Sequence, residues 1–133
     1  PRALYHAPQD RFTAAFLGEA NFISGMPEDS GLRLADGTLL PWPDRTDKKM
    51  TLLAVRPEEM TVAADTSPPP LDACVIRGEL SAIVFSGPTA VCHVKSLDQT
   101  YRVLVKNSEL GRMPASGPVM VSWPVSRSML LRE

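Results

Sequence analysis

The chain has 133 residues, of which 44% are hydrophobic and 22% are charged, and its formal net charge is −1. This balance excludes disordered and fibrous classes, and the length suits one compact domain, or two small lobes with a shared core, that needs no disulfide or metal for stability. The near-neutral charge argues against a dedicated nucleic-acid binder, because neutralising phosphates requires a cationic excess or stripe.

Residues 1–20 are predicted to contain a short helix that ends a preceding domain. Pro8 suits the first helical turn, and Phe12 and Phe16 lie on one apolar face at helical spacing. Gly18 is expected to end this helix. The start at Pro1, without an initiator Met, indicates a fragment of a longer protein.

From residue 21 onward the hydrophobic period changes to two, which is typical of strands. The first predicted lobe, residues 21–64, contains strands at 21–24, 32–34, 38–40 and 50–55. Asp36 and Gly37 favour a tight hairpin turn between the second and third of these strands. Pro57 is expected to end the ladder of the fourth, because it has no N–H to donate.

A proline-rich stretch, residues 63–72, is predicted to be an extended connector to the second lobe, residues 73–133. In this lobe strands are predicted at 74–85, 89–95, 100–106, 119–123 and 129–131. Gly78 predicts a bend or bulge inside the first of them. Seven or more short strands with Gly and Pro turns predict a mainly all-β fold, a small OB-like Greek-key barrel.

The sequence carries no catalytic motif. It has no phosphate-binding loop, no G-x-S-x-G and no H-E-x-x-H, and His6 and His93 stand far apart. Cys74 and Cys92 lack the paired spacing of a zinc site and are interpreted as buried strand residues. We therefore predict no catalytic, cofactor or metal site in this segment, which is not an enzyme by itself. No apolar run approaches the roughly 20 residues of a membrane span, and no signal peptide opens the chain.

Several strings resemble, in the same order, a module found at the C-terminus of importer-type ABC transporter ATPases. They are Phe-Leu-Gly-Glu-Ala-Asn at 16–21, Val-Arg-Pro-Glu at 55–58, Gly-Glu-Leu at 78–80, Phe-Ser-Gly at 85–87 and Val-Ser-Trp-Pro at 121–124. The module is the TOBE domain, an OB-like barrel, and the chain is most similar to its polyamine, iron and phosphonate subgroup.

The resemblance implies a C-terminal regulatory and dimerisation domain, residues 21–133, of an ATP-binding subunit on the cytoplasmic face of the inner membrane. It implies a homodimer, permease subunits as partners of the parent chain, a possible small regulatory solute, and ATP with Mg only in the missing ATPase domain. The matching motif residues, expected to be structural or interfacial, are Gly18, Glu19, Asn21, Arg56, Pro57, Glu58, Gly87 and Trp123.

Two alternatives stay open for the function and for these residues. A stand-alone OB-fold binding single-stranded nucleic acid is disfavoured by the charge and by only eight aromatic residues. A barrel that binds a small oxyanion is compatible with Ser86 and Ser96. For Arg56 and Glu58 a local structural role is favoured over an interface role, and Trp123 is predicted to be core.

Overall fold

The computed structural model describes residues 19–44 and 47–132, and the fold of this part of the chain is mainly β, as predicted. Its strands are β1 (Asn21–Ile23), β2 (Met26–Pro27), β3 (Gly31–Arg33), β4 (Leu39–Pro41), β5 (Met50–Val55), β6 (Thr61–Ala64), β7 (Ala73–Ser86), β8 (Thr89–Ser96), β9 (Gln99–Lys106), β10 (Gly117–Pro124) and β11 (Met129–Arg132). Short 3-10 helices cover Pro57–Glu59, Asn107–Arg112 and Val125–Arg127. Residues 1–18 of the predicted linking helix lie outside the described residues. Within the described ranges, no helix has the length and apolar character to cross a membrane.

The chain divides into two compact units. The first contains the described residues up to Arg56 and those from Val125 onward, and the second is Pro57–Pro124. This division differs from the predicted lobes, 21–64 and 73–133, in two ways. The boundary falls before β6, so that the proline-rich stretch 63–72 joins two strands of the second unit, and β11 belongs to the first unit. Both differences arise because strand pairing is decided by partners far away in the sequence.

The first unit contains two three-stranded antiparallel sheets, in the orders β1-β5-β11 and β2-β3-β4. The central strand β5 is buried from Leu52 to Val55, and its Leu52 and Ala54 form a small core with Ala20 and Leu131. The predicted hairpin joins β3 to β4, with Gly37 at φ +92° and the Asp36 carboxylate accepting a hydrogen bond from the Thr38 amide at 3.0 Å.

The loop before β3 is held to this hairpin by polar contacts. Arg33 donates from Nε and Nη2 to the two carboxylate oxygens of Glu28, both at 2.9 Å. The Trp42 indole donates to the carbonyl of the same Glu28 at 2.7 Å. A bidentate, charge-assisted pair adds geometric specificity to the contact, so these bonds tie the loop to the hairpin.

The second unit is a five-stranded antiparallel sheet in the order β6-β10-β7-β8-β9, and its terminal strands β6 and β9 contact each other, so that the sheet curls into a barrel. Alternate side chains of β7, β8 and β9 fill the interior. The core of this unit includes Cys74, Ile76, Leu80, Ala90, Cys92, Val94, Tyr101, Val103, Val119, Val121 and Trp123. Both cysteines are buried and free, as predicted.

Gly78 lies where β7 crosses close to β8. A Cβ atom added to Gly78 would lie 2.5 Å from the Lys95 carbonyl oxygen and 2.8 Å from Cγ1 of Val94. The irregularity of β7 comes later, where the pairing register with β8 shifts between Leu80 and Ala82. The glycine therefore permits a close backbone approach, and the predicted bulge follows it.

Candidate functional site

The end of β7 has one unpaired edge. Strand β10 pairs with β7 from Ala73 to Leu80, whereas β8 pairs with it as far as Ser86. Beyond Leu80, no strand of the described ranges 19–44 and 47–132 pairs with the other side of β7. We call residues 82–86 the free edge. Unpaired N–H and C=O groups along such an edge form a template for another strand.

The free edge is apolar and uncharged. Its sequence is Ala-Ile-Val-Phe-Ser, with Val84 53% and Phe85 65% exposed to solvent. Exposed strand edges in proteins usually carry a lysine, a proline or an inward-pointing charge that prevents pairing, and this segment has none. Since neighbouring strand residues point to opposite faces, Val84 and Phe85 place apolar surface on both sides of the edge.

The turn that follows the free edge is well ordered by hydrogen bonds. Gly87, one of the family-motif residues, has φ +63° in the two-residue loop between the paired residues Ser86 and Thr89. A positive φ at the first central position is what a type II′ hairpin turn requires. Asn107 donates from its side chain to the Gly87 carbonyl at 2.8 Å and from its amide to the Pro88 carbonyl at 3.0 Å. The hairpin end is thus tied to the residue after β9.

A cavity of about 230 Å³ lies in the second unit beside β6, β9 and the 3-10 helix Asn107–Arg112. It is lined by Met60, Thr61, Val62, Leu104, Val105, Glu109, Arg112 and Met113. Most of the lining is apolar, with one carboxylate and one guanidinium among it. The predicted site residues do not include any of these side chains.

The remaining motif residues are spread over both units. In the first unit, Asn21 is buried on β1 and donates from Nδ2 to the Val55 carbonyl at 3.4 Å, while Glu19 is exposed. The half-buried Arg56 ends the first of the two stretches of chain that form this unit.

In the second unit, Pro57 and the exposed Glu58 lie in the 3-10 helix Pro57–Glu59. Trp123 is 1% exposed and belongs to the core. Gly18 is outside the described residues. The structure thus brings Asn21 beside Val55, whereas Gly87 lies in the turn between β7 and β8 and Trp123 lies on β10.

The Cys92 thiol lies in the core of the second unit. Burial raises the pKa of the Cys92 thiol, which keeps it protonated and unreactive. In the described part of the chain, no group of three or more His, Cys, Asp and Glu side chains is placed to hold a metal ion.

Sequence comparison relates the chain to a family and to several curated proteins. The family model of the TOBE domain matches residues 53–131. The spermidine/putrescine import ATP-binding protein PotA of Ruegeria pomeroyi is 32% identical over 142 aligned positions, which cover 100% of this chain and 37% of that protein. PotA of Thermobifida fusca is 27% identical over 141 positions, which cover 98% of this chain and 36% of that protein. The chain thus spans about a third of the length of these relatives.

Among solved structures, the cytoplasmic molybdate-binding protein ModG, in a form with molybdate bound, has a similar fold. The TM-score is 0.51 and the sequence identity is 18%, with 62% of this chain and 61% of that chain covered. At this identity the likeness concerns the fold alone, and it agrees with the predicted OB-like barrel.

Proposed function

The chain belongs to the TOBE domain family, and we propose that it is the C-terminal regulatory and dimerisation domain of the ATP-binding subunit of an ABC importer for polyamines or a similar solute. Relatives named as spermidine/putrescine import ATP-binding proteins match it from end to end, over only about a third of their own length. In this proposal the parent subunit binds ATP and Mg in a preceding domain and acts with permease subunits at the cytoplasmic face of the membrane. This segment contributes contacts and regulation, and no catalytic group.

Dimerisation has a clear physical purpose in such a subunit. Two ATPase domains must close on ATP and separate after hydrolysis. A second contact keeps the two subunits associated while their ATPase domains are separated. Such a contact raises the effective concentration of each ATPase domain for its partner. A solute that binds this domain more tightly in one state shifts the cycle by its difference in affinity.

The observation that carries the dimer proposal is the free edge. Antiparallel pairing of residues 82–86 with the same segment of a second copy has two-fold symmetry, the commonest symmetry of soluble homo-oligomers. Each copy would satisfy the backbone groups of the other and cover Val84 and Phe85, which are more than half exposed in one chain. Because the segment carries no charge, self-pairing brings no like charges together.

The oligomeric state of the chain tests this contact. We expect light scattering to give a dimer mass for the unmodified chain and a monomer mass for Val84→Lys, because the added charge would have to be buried at the strand pair. Leu71→Lys is the matched control: Leu71 is 93% exposed outside the strands, and its replacement should leave the dimer intact. A monomeric unmodified chain, or equal dissociation of both variants, would refute pairing through the free edge.

The regulatory role is tested in the parent subunit. The reading frame before Pro1 should encode a phosphate-binding loop and an ABC signature, and an unrelated upstream domain would overturn the assignment. Titration of the full-length subunit with spermidine should change its ATPase rate, and the change should depend on this domain. A titration without heat or rate change would count against solute regulation while leaving the dimer contact untouched. The alternative of a stand-alone barrel for oxyanions or single-stranded nucleic acid gains no support from the ModG likeness, which is one of fold.

A further inference from the structure

We propose that the cavity beside β6 and β9 binds a small zwitterion with an apolar body, of the class of aliphatic α-amino acids. The cavity belongs wholly to the second unit and contains no residue of the free edge. This inference is therefore independent of the dimer contact and of the importer assignment.

The wall of the cavity suits an aliphatic group. Met60 and Val62 are buried beneath it, Val105 and Met113 are half-buried, and Leu104 is partly exposed at its side. Methionine side chains adapt to irregular apolar ligands because they are unbranched and polarizable. The volume of about 230 Å³ is below the roughly 300–1,000 Å³ of pockets for drug-sized ligands, so the ligand must be small.

Two opposite charges line the same cavity. Glu109 and Arg112 are three residues apart in the 3-10 helix Asn107–Arg112, where side chains at positions i and i+3 project on the same side. Among the described residues, neither side chain forms an ion pair or a hydrogen bond, with the other or with a third group. Both charges are exposed and available to a ligand.

This pair of charges selects the class of ligand. A dication would place its second ammonium group near Arg112, and a dianion would place charge near Glu109, and each arrangement is repulsive. A zwitterion satisfies both groups: its ammonium donates to the Glu109 carboxylate, and its carboxylate accepts from the Arg112 guanidinium in a charge-assisted pair. The Thr61 hydroxyl offers a further hydrogen bond, and the aliphatic side chain lies against Met60 and Val62.

An NMR titration of the whole chain tests the proposal, with L-leucine as the probe. Leucine should shift the amide signals of Met60, Leu104 and Met113 in a saturable way. Two analogues each lack one charge, 4-methylpentanoate without the ammonium group and 3-methylbutylamine without the carboxylate. Each should bind roughly tenfold more weakly or worse, since one charge-assisted hydrogen bond is lost.

Variants identify the two charged contacts. Glu109→Gln and Arg112→Gln should each weaken leucine binding roughly tenfold, whereas Lys95→Gln, an exposed charge on β8 outside the cavity, should not change it. All three substituted positions are exposed, so the substitutions should leave the fold intact. Unchanged dispersion of the NMR signals checks that each variant is folded. The proposal is overturned by an absence of saturable shifts, by equal binding of a one-charge analogue, or by tighter binding of putrescine, which would make the cavity a cation site.

Discussion

Gly78→Ala should destabilise the second unit through a single methyl group. The new Cβ would lie 2.5 Å from the Lys95 carbonyl oxygen and 2.8 Å from a Val94 methyl carbon. An ordinary contact begins at 3.4 Å, so β7 and β8 must move apart. The Lys95 carbonyl is backbone in the middle of a sheet, and the side chain of Val94 is fully buried. Neither group can rotate away from the added methyl group.

The cost of such overpacking is typically about 1–3 kcal/mol. For a chain of this size each kcal/mol lowers the melting temperature by roughly 3–5 °C, so a decrease of about 3–15 °C is expected. A total stability of about 5–15 kcal/mol is usual for a domain, so the variant should still fold.

Urea unfolding, followed by the fluorescence of the two tryptophans, measures this cost against a matched control. Gly111→Ala also adds one methyl group, but nothing lies within 4 Å of that position and its φ is not positive. We expect the control to be neutral or slightly stabilising, by up to about 1 kcal/mol, because alanine restricts the unfolded chain. If Gly78→Ala and Gly111→Ala unfold at the same urea concentration, the close approach of β8 is not what requires a glycine at position 78.

Three further changes are expected. Hydrogen bonds from Arg33 hold the pKa of Glu28 below its ordinary value of 4.5, against the opposing effect of desolvation. The stability that this pair contributes is complete above pH 4.5 and is lost as the pH falls through the folded-state pKa of Glu28. In Glu28→Gln the urea midpoint should therefore fall less steeply with decreasing pH than in the unmodified chain. An equally steep fall in both proteins would contradict the stabilising role of the pair. Ellman's reagent should find no reactive thiol in the native chain and two in urea, because Cys74 and Cys92 are buried; rapid labelling of the native chain would show that the core opens. Trp123→Ala should cost about 3–5 kcal/mol in urea unfolding, and a loss below about 1 kcal/mol would place this side chain outside the core.

Features with local signals could be predicted from the sequence. The hairpin at Asp36-Gly37 was predicted correctly because the geometry of its turn depends on the two turn residues. Strand β5 has the predicted bounds, Met50–Val55, since an apolar run ends at a proline. Strand β2 was missed: its two residues, Met26 and Pro27, are exposed and show no alternation.

Features that depend on distant pairing could not be predicted. Strand β6 lies partly within the predicted connector, and its pairing with β10 has no local signal. The cavity brings Met60 near Glu109 and Arg112, about fifty positions later in the chain. The free edge follows from the point at which β10 ends opposite Leu80, although the unbroken apolar run Ile83-Val84-Phe85 was a sign that the usual alternation fails there.

The first unit is built from two stretches of chain with the whole second unit inserted between them. Its central strand β5 pairs with β11, Ala54 lying opposite Met129, so this sheet is complete only after every residue of the barrel has been synthesised. The strands of the barrel can therefore pair before the first unit is complete, while β5 has a partner on one side only. Contacts of such long sequence separation form slowly, and a released chain truncated before β11 would keep every strand of the barrel while β5 lacked one of its two partners.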